Sequence, residues 1–182
     1  MAASPPLILR TLANTLTVGR AVVGLPLILA LQFSWFAAAW WFLLLAGLSD
    51  AADGWLARLA GGGSSWGARL DPLTDKVLIA APLLWLASTD ALPVWAVWLL
   101  LARELLISGW RAEASDGAPA SGAGKAKTIL QFISLLLLLW PPTWFGYRQL
   151  VLIGWWMFWP SLLLALTSAV GYLKPQSALH RN

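Results

Sequence analysis

Apolar positions along the chain form long stretches that are separated by short polar segments. Each stretch is close to the about 17–25 residues that a helix needs to cross a bilayer. The stretches cover residues 14–33, 35–59, 68–88, 92–114, 125–142 and 149–173. The pattern predicts one all-α membrane domain, spanning residues 1–182, with six transmembrane helices. Residues 4–13 are predicted to form a short interfacial helix before the first span.

The composition supports a membrane protein and excludes several other classes. Hydrophobic residues make up 59% of the 182 residues and charged residues 11%, against about 45–50% and about 25% in soluble domains. The net charge is +4, but the cations occur singly or in pairs between apolar segments, so no nucleic-acid partner is predicted. The absence of cysteine from the sequence excludes disulfides, Cys-ligated zinc and thiol catalysis.

Lysine and arginine are distributed unevenly over the polar segments. The loops at 60–67 and 115–124, the two termini and the flanking helix ends hold most of these cations, namely Arg10, Arg58, Arg69, Arg111, Lys125, Lys127, Lys174 and Arg181. The connections on the other side hold Arg148. Because cytoplasmic loops of membrane proteins are enriched in Lys and Arg, both termini and these two loops are predicted to be cytosolic.

Half of the eight acidic residues occur in the stretch "SDAADGWLARLAGGGSSWGARLDPLTD". Asp50 and Asp53 are spaced i, i+3 near the end of the second predicted helix, and Asp71 and Asp75 are spaced i, i+4 at the start of the third. Each pair therefore shares a helix face. The glycine-rich loop 61–67 joins the two helices in antiparallel fashion, so the two acidic faces are predicted to meet.

Four carboxylates brought together at membrane depth repel one another and are costly to desolvate. One or two divalent cations would offset that cost, and an all-oxygen ligand set favours Mg²⁺, Mn²⁺ or Ca²⁺ over zinc. Two metals held by carboxylates are typical of phosphoryl-group chemistry. The alternative is structural, with the aspartates forming buried salt bridges to Arg58, Arg69 and Lys76.

A divalent-cation transporter is a further alternative for a cluster of this kind. Transport predicts carboxylates near the middle of the bilayer. Asp50 and Asp53 lie only about 7–15 Å from the loop end of their predicted helix, at 1.5 Å per residue. This position favours an enzyme that works at the membrane–cytosol boundary.

The same stretch resembles the CDP-alcohol phosphotransferase family at every fixed position of the signature D-G-x2-A-R-x8-G-x3-D-x3-D. The matching residues are Asp53, Gly54, Ala57, Arg58, Gly67, Asp71 and Asp75, with Asp50 as an additional upstream aspartate. The resemblance implies a six-helix membrane enzyme that releases CMP from a CDP-linked donor. It also implies a homodimer.

The resemblance further implies a role for each of these residues. The metal ligands would be Asp50, Asp53, Asp71 and Asp75, which would hold two Mg²⁺ or Mn²⁺ ions in each active site. Asp75 would also be the general base. The CDP-lipid would be bound by Asp50, Asp53, Gly54, Ala57, Arg58 and Gly67, together with Asn14 and Thr17 from the first predicted helix.

Three further motifs bear on the acceptor: N-x-x-T-x-x-R at 14–20, A-R-E-x-x-I-S at 102–108 and G-K-x-K-T at 124–128. Arg103 and Glu104 lie in an apolar span, where ionisable groups usually face a cavity and pair. Several cations are suited to the phosphate of an acceptor, namely Arg20, Arg103, Arg111, Lys125 and Lys127. The alternative is that Arg111, Lys125 and Lys127 only set the topology.

Together the three motifs resemble the phosphatidylglycerophosphate synthases of bacteria. The implied reaction transfers the phosphatidyl group of CDP-diacylglycerol to sn-glycerol 3-phosphate, in phospholipid biosynthesis at the bacterial inner membrane, with the site facing the cytosol. Within the family, a cardiolipin synthase that uses phosphatidylglycerol as acceptor is the nearest alternative. A structural subunit without catalysis would leave the intact signature unexplained.

Overall fold

A computed structural model describes the backbone at residue 19 and over residues 22–59, 65–113 and 122–173. Side chains are described at residues 19, 22–49, 74, 76–109 and 126–169. Within these ranges every regular element is a helix, and the all-α prediction is confirmed. The helices are α1 (Val22–Gln32), α2 (Phe36–Leu59), α3 (Ser65–Ser88), α4 (Val94–Glu113), α5 (Gly122–Leu138) and α6 (Tyr147–Leu173).

The observed helix ends follow the predicted ones closely, with two instructive differences. Helix α5 ends at Leu138, four residues before the predicted end at 142, because Pro141 and Pro142 lack the backbone N–H that a helix needs and restrict the residue before them. Helix α3 begins at Ser65, so Gly67 lies inside the helix. The prediction that the loop extends to residue 67 is therefore wrong. A glycine inside a helix costs about 1 kcal/mol, and the long helix that follows Gly67 offsets this cost.

The most extensive helix pair is α5 with α6, and a glycine allows their close approach. A Cβ atom on Gly154 would lie 2.9 Å from the backbone nitrogen of Leu138 and 3.0 Å from the carbonyl oxygen of Ser134. The Ser134 hydroxyl donates a hydrogen bond of 2.8 Å to the carbonyl oxygen of Gly154. Small residues at helix crossings of this kind are typical of membrane helices.

The remaining helices pack around this pair. Helix α4 contacts both α3 and α6, and α2 contacts α5. The buried core is almost wholly aliphatic, with Leu27, Leu43, Leu83, Leu100 and Leu135 among its fully buried side chains. This arrangement brings the charged ends of α3, α4 and α5 together beside the second half of α6.

The apolar content of the individual helices differs. Over the described ranges, α6 alone has a segment long and apolar enough to cross a membrane by length and composition, Tyr147–Ala169. Shorter apolar segments occupy Val22–Gln32, Phe36–Ser49, Lys76–Ser88 and Ala126–Leu138.

The outer surface carries many large apolar side chains. Among them Trp98 is 66% exposed, Leu106 72% and Phe145 99%. A surface of this kind is far more apolar than that of a soluble monomer, in which contiguous exposed apolar patches are small. Lipid or another protein chain is the environment that suits it.

Candidate functional site

The signature residues lie on two consecutive helices. Helix α2 contains Asp50, Asp53, Gly54, Ala57 and Arg58, and α3 contains Gly67, Asp71 and Asp75. Both aspartate pairs therefore have the helical spacing that the sequence predicts. The side chains of these residues lie outside the described ones, as do those of Arg111 and Lys125. Asn14, Thr17 and Arg20 lie outside the described residues altogether.

A cluster of charged side chains lies directly beside this region. We call it the Glu104 cluster, and it comprises Lys76, Arg103, Glu104 and Lys127. Glu104 Oε1 accepts hydrogen bonds from Lys127 Nζ and, at 2.8 Å, from Arg103 Nη1. Glu104 Oε2 lies 3.6 Å from Lys76 Nζ. Glu104 is only 8% exposed and Lys127 4%.

Arg103 extends the cluster to the sixth helix. Its Nε donates a hydrogen bond of 2.8 Å to the carbonyl oxygen of Ala165, and its Nη2 donates one of 2.8 Å to Ser168 Oγ. With Nη1 bound to Glu104, all three guanidinium nitrogens donate hydrogen bonds. A planar guanidinium held at each nitrogen has a fixed orientation.

The Glu104 cluster joins four helices, because Lys76 lies on α3, Glu104 on α4, Lys127 on α5 and the Arg103 acceptors on α6. The predicted pairing of Arg103 with Glu104 is confirmed. The contributions of Lys76 and Lys127 are not visible in the sequence, because hydropathy does not show which helices are neighbours. The structural alternative pairs Lys76 with the signature aspartates. In the structure, Lys76 lies beside Glu104.

Charge is not balanced within the Glu104 cluster. Among the described side chains, three cations and one carboxylate give the cluster an excess of two positive charges. Buried charge is costly unless it is paired. The cluster is therefore an environment that favours the approach of a further anionic group.

Helix α5 presents a buried polar face next to the cluster. Lys127, Gln131 and Ser134 are spaced i, i+4 and i+7, and all three are buried. Gln131 is 2% exposed, and its Nε2 has no hydrogen-bond partner among the described residues. Sequence reasoning missed Gln131 and Ser134, although their spacing from Lys127 follows the helical period.

Fold and site together define a class: an all-helical protein with an apolar outer surface, an aspartate-rich helix pair and a buried cationic cluster beside it. Comparison with known proteins defines the family. Residues 10–167 match the CDP-alcohol phosphatidyltransferase family, and the chain belongs to this family. The match covers every helix described above except the last residues of α6.

Curated relatives align over most of their length. The chain is 31% identical over 171 residues to the CDP-diacylglycerol--glycerol-3-phosphate 3-phosphatidyltransferase of Rickettsia felis, covering 91% of this chain and 94% of the relative. It is 35% identical over 164 residues to the protein of the same name from Escherichia coli strain K12, covering 84% and 86%. Alignments of this length span residues 50–127, the part of the chain that contains the signature and the Glu104 cluster.

Proposed function

We propose that this protein transfers the phosphatidyl group of CDP-diacylglycerol to sn-glycerol 3-phosphate, forming phosphatidylglycerol phosphate and CMP in phospholipid biosynthesis. The family membership and the shared name of the aligned relatives support this activity. One structural observation gives this activity its strongest support. Lys76, the residue after Asp75 of the signature, lies beside Glu104, which also binds Lys127 of the G-K-x-K-T motif. The residue that follows the donor signature and a residue of the candidate acceptor motif therefore contact the same carboxylate.

The chemistry of the signature suits hard divalent cations. Its four aspartates supply only carboxylate oxygens from two consecutive helices, which is the donor set that Mg²⁺ and Mn²⁺ take in proteins. Asp50, Asp53, Asp71 and Asp75 would hold two such ions. When bound, the ions would offset the negative charge of the donor's pyrophosphate group and stabilise the leaving CMP.

The chain's own residues would carry the transfer itself. Asp75 would accept the proton of the acceptor's hydroxyl group. That hydroxyl oxygen then forms a bond to the lipid-linked phosphorus of CDP-diacylglycerol, and the bond from this phosphorus to the CMP oxygen breaks. Holding the two substrates in line would supply much of the rate enhancement.

Binding of the two substrates would fall to different residues of the chain. Gly54, Ala57 and Gly67 have small side chains that allow close approach of the nucleotide, and Arg58, Asn14 and Thr17 would add polar contacts to the CDP-lipid. The acceptor's phosphate would be bound by Arg20, Arg103, Arg111, Lys125 and Lys127. The excess positive charge of the Glu104 cluster supports this assignment, because a phosphate ester is an anion of the kind such a cluster favours.

Helix length and charge support a placement in the membrane. Helices α2, α3, α4 and α6 have 24, 24, 20 and 27 residues, which suffices to cross about 30 Å of hydrocarbon at 1.5 Å per residue. We place six spans in the bacterial inner membrane, with both termini and the site at the cytosolic face. A homodimer is proposed from the family resemblance.

The acceptor is tested by measuring CMP release from CDP-diacylglycerol by the purified protein with each candidate in turn. Release is expected with glycerol 3-phosphate and Mg²⁺ or Mn²⁺, and loss of release with a chelator. Faster release with phosphatidylglycerol would instead identify a cardiolipin synthase. Metal flux into vesicles without CMP release would identify a transporter.

A further inference from the structure

Glu104 is a carboxylate around which three cations gather within 4 Å. Lys127 and Arg103 share its Oε1, and Lys76 lies 3.6 Å from its Oε2. The side chain is largely removed from solvent, at 8% exposure. Without this carboxylate the three cations would repel one another in a poorly solvated site, where such repulsion is screened little.

Each cation that meets Glu104 belongs to a different part of the protein. Lys76 directly follows the signature aspartate Asp75 on α3, and Lys127 lies on α5 in the motif assigned to the acceptor's phosphate. Arg103 holds α6 through the carbonyl oxygen of Ala165. Glu104 therefore fixes the distance between the donor signature and the acceptor motif.

We propose that Glu104 is a positioning residue for the acceptor. It holds Lys76 and Lys127 side by side, so that the positive charge in excess of its own forms one binding place for the phosphate of the acceptor. Glu104 itself does not contact the reacting atoms, since it is an anion surrounded by the cations that would bind the phosphate. This inference rests on the proposed function and gives a role to Glu104, which the proposed function leaves without one.

The kinetic consequence is specific to one substrate. Loss of the carboxylate would let the Lys127 side chain move away from its present position, and the acceptor's phosphate would lose a hydrogen bond from a fixed cation. The KM for glycerol 3-phosphate should rise, because hydrogen bonds between charged groups contribute strongly to binding. The KM for CDP-diacylglycerol should change little, because the signature residues that bind it are unaltered.

Glu104→Gln is the first variant, since it keeps the shape of the side chain and removes its charge. Full-length protein in detergent micelles is assayed for CMP release against each substrate. We expect the KM for glycerol 3-phosphate to rise at least about 10-fold, and the KM for CDP-diacylglycerol to stay within about twofold. An unchanged KM for glycerol 3-phosphate, or an equal rise for both substrates, would overturn the proposal.

Ser134→Ala is the matched control for a purely structural loss. It removes one buried hydrogen bond between α5 and α6, from the hydroxyl to the carbonyl oxygen of Gly154 at 2.8 Å. Its thermal stability should fall while its KM for glycerol 3-phosphate stays within about twofold of the wild type. A rise in this KM equal to that of Glu104→Gln would reduce the role of Glu104 to packing.

A double variant separates position from charge. K76M/E104Q removes one cation and one anion, so the cluster keeps its net excess of two positive charges but loses the carboxylate. It also avoids leaving three unpaired cations, which makes it the variant of choice where Glu104→Gln folds poorly. A KM for glycerol 3-phosphate higher than that of K76M alone supports positioning by Glu104, and a KM equal to that of K76M would contradict it.

The wild-type assay distinguishes failure of this inference from failure of the proposed function. Absence of CMP release with glycerol 3-phosphate from the wild-type protein would overturn the proposed function. Wild-type release together with an unchanged KM in Glu104→Gln would overturn only the role of Glu104.

Discussion

The two ends of the helix bundle are held together by different interactions. At one end lies the Glu104 cluster, where Lys127 near the start of α5 binds a carboxylate on α4. At the other end Trp40 of α2 packs edge-on against Trp140 and Trp144, which follow α5, with ring centroids 5.5 and 5.1 Å apart. We call this second group, with Trp41, the tryptophan cluster.

The contrast shows how one set of helices serves two environments. Tryptophan has a large apolar ring and one N–H donor, a combination enriched at membrane–water boundaries. Trp40 Nε1 donates to the carbonyl oxygen of Leu136 at 2.9 Å, so the donor is satisfied within the bundle. At the Glu104 end, the described side chains of the cluster instead comprise three cations and one carboxylate. Changes at the charged end should therefore alter substrate kinetics, and changes at the tryptophan end should alter stability alone.

The largest effect is expected at the signature. Asp75→Asn removes the proposed base and one proposed metal ligand while keeping nearly the same volume. Turnover should fall at least about 10³-fold, measured as CMP release with glycerol 3-phosphate. Binding of CDP-diacylglycerol, measured by equilibrium titration, should persist. Near-normal turnover would remove Asp75 from the mechanism.

The second-largest effect is expected at the Glu104 cluster. Lys127→Met keeps an unbranched side chain that is one atom shorter and removes the charge. The KM for glycerol 3-phosphate should rise about 10- to 100-fold, the range set by hydrogen bonds to charged groups. The KM for CDP-diacylglycerol serves as the internal control. An unaltered KM for glycerol 3-phosphate would mean that Lys127 only sets the topology of the chain in the membrane.

The third effect is expected where α5 packs against α6, between the two ends of the bundle. It should lower stability and leave the kinetics unchanged. Gly154→Ala places a Cβ atom 2.8 Å from Leu137 Cβ and 2.9 Å from the backbone nitrogen of Leu138, which is too close. The overpacked pair of helices should lose about 1–3 kcal/mol, visible as a lower Tm in detergent. Gly109→Ala on α4 is the matched control, because its Cβ would meet no atom of the described residues within 4 Å. Equal Tm values for the two variants would contradict the close approach of α5 and α6.

The smallest effect is expected in the tryptophan cluster. Trp40→Phe removes the hydrogen bond to Leu136 and part of the ring contact, at a cost of about 0.5–1.5 kcal/mol. The Tm should fall slightly, and both KM values should equal those of the wild type. Trp41→Phe, at a position 49% exposed, is the control and should have a smaller effect on Tm. A changed acceptor KM in Trp40→Phe would show that the two ends are coupled.

The sequence predicts the helices well because their ends are marked by local features. Helix α2 was predicted over 35–59 and is observed at Phe36–Leu59, and α6 was predicted over 149–173 and is observed at Tyr147–Leu173. Apolar length and turn residues determine these ends. The end of α5 was placed too late because the apolar run continues to Trp140, whereas Pro141 limits the helix.

The site is predictable only where its pattern is local. The spacing of Asp50 with Asp53 and of Asp71 with Asp75 can be read along single helices, as can the adjacency of Arg103 and Glu104. The meeting of Lys76 with Glu104 joins residues 28 positions apart on different helices, and no local spacing specifies it. The buried Gln131 was missed for a related reason, since its burial depends on α5 packing against other helices.

Transfer of label from sn-glycerol 3-phosphate into lipid tests the central claim most directly. Purified wild-type protein is incubated with CDP-diacylglycerol, Mg²⁺ and radiolabelled glycerol 3-phosphate, and lipid-phase label and released CMP are measured together. One labelled phosphatidylglycerol phosphate per CMP is the expected result, with neither product formed by Asp75→Asn. Release of CMP without label in the lipid phase would contradict glycerol 3-phosphate as the acceptor.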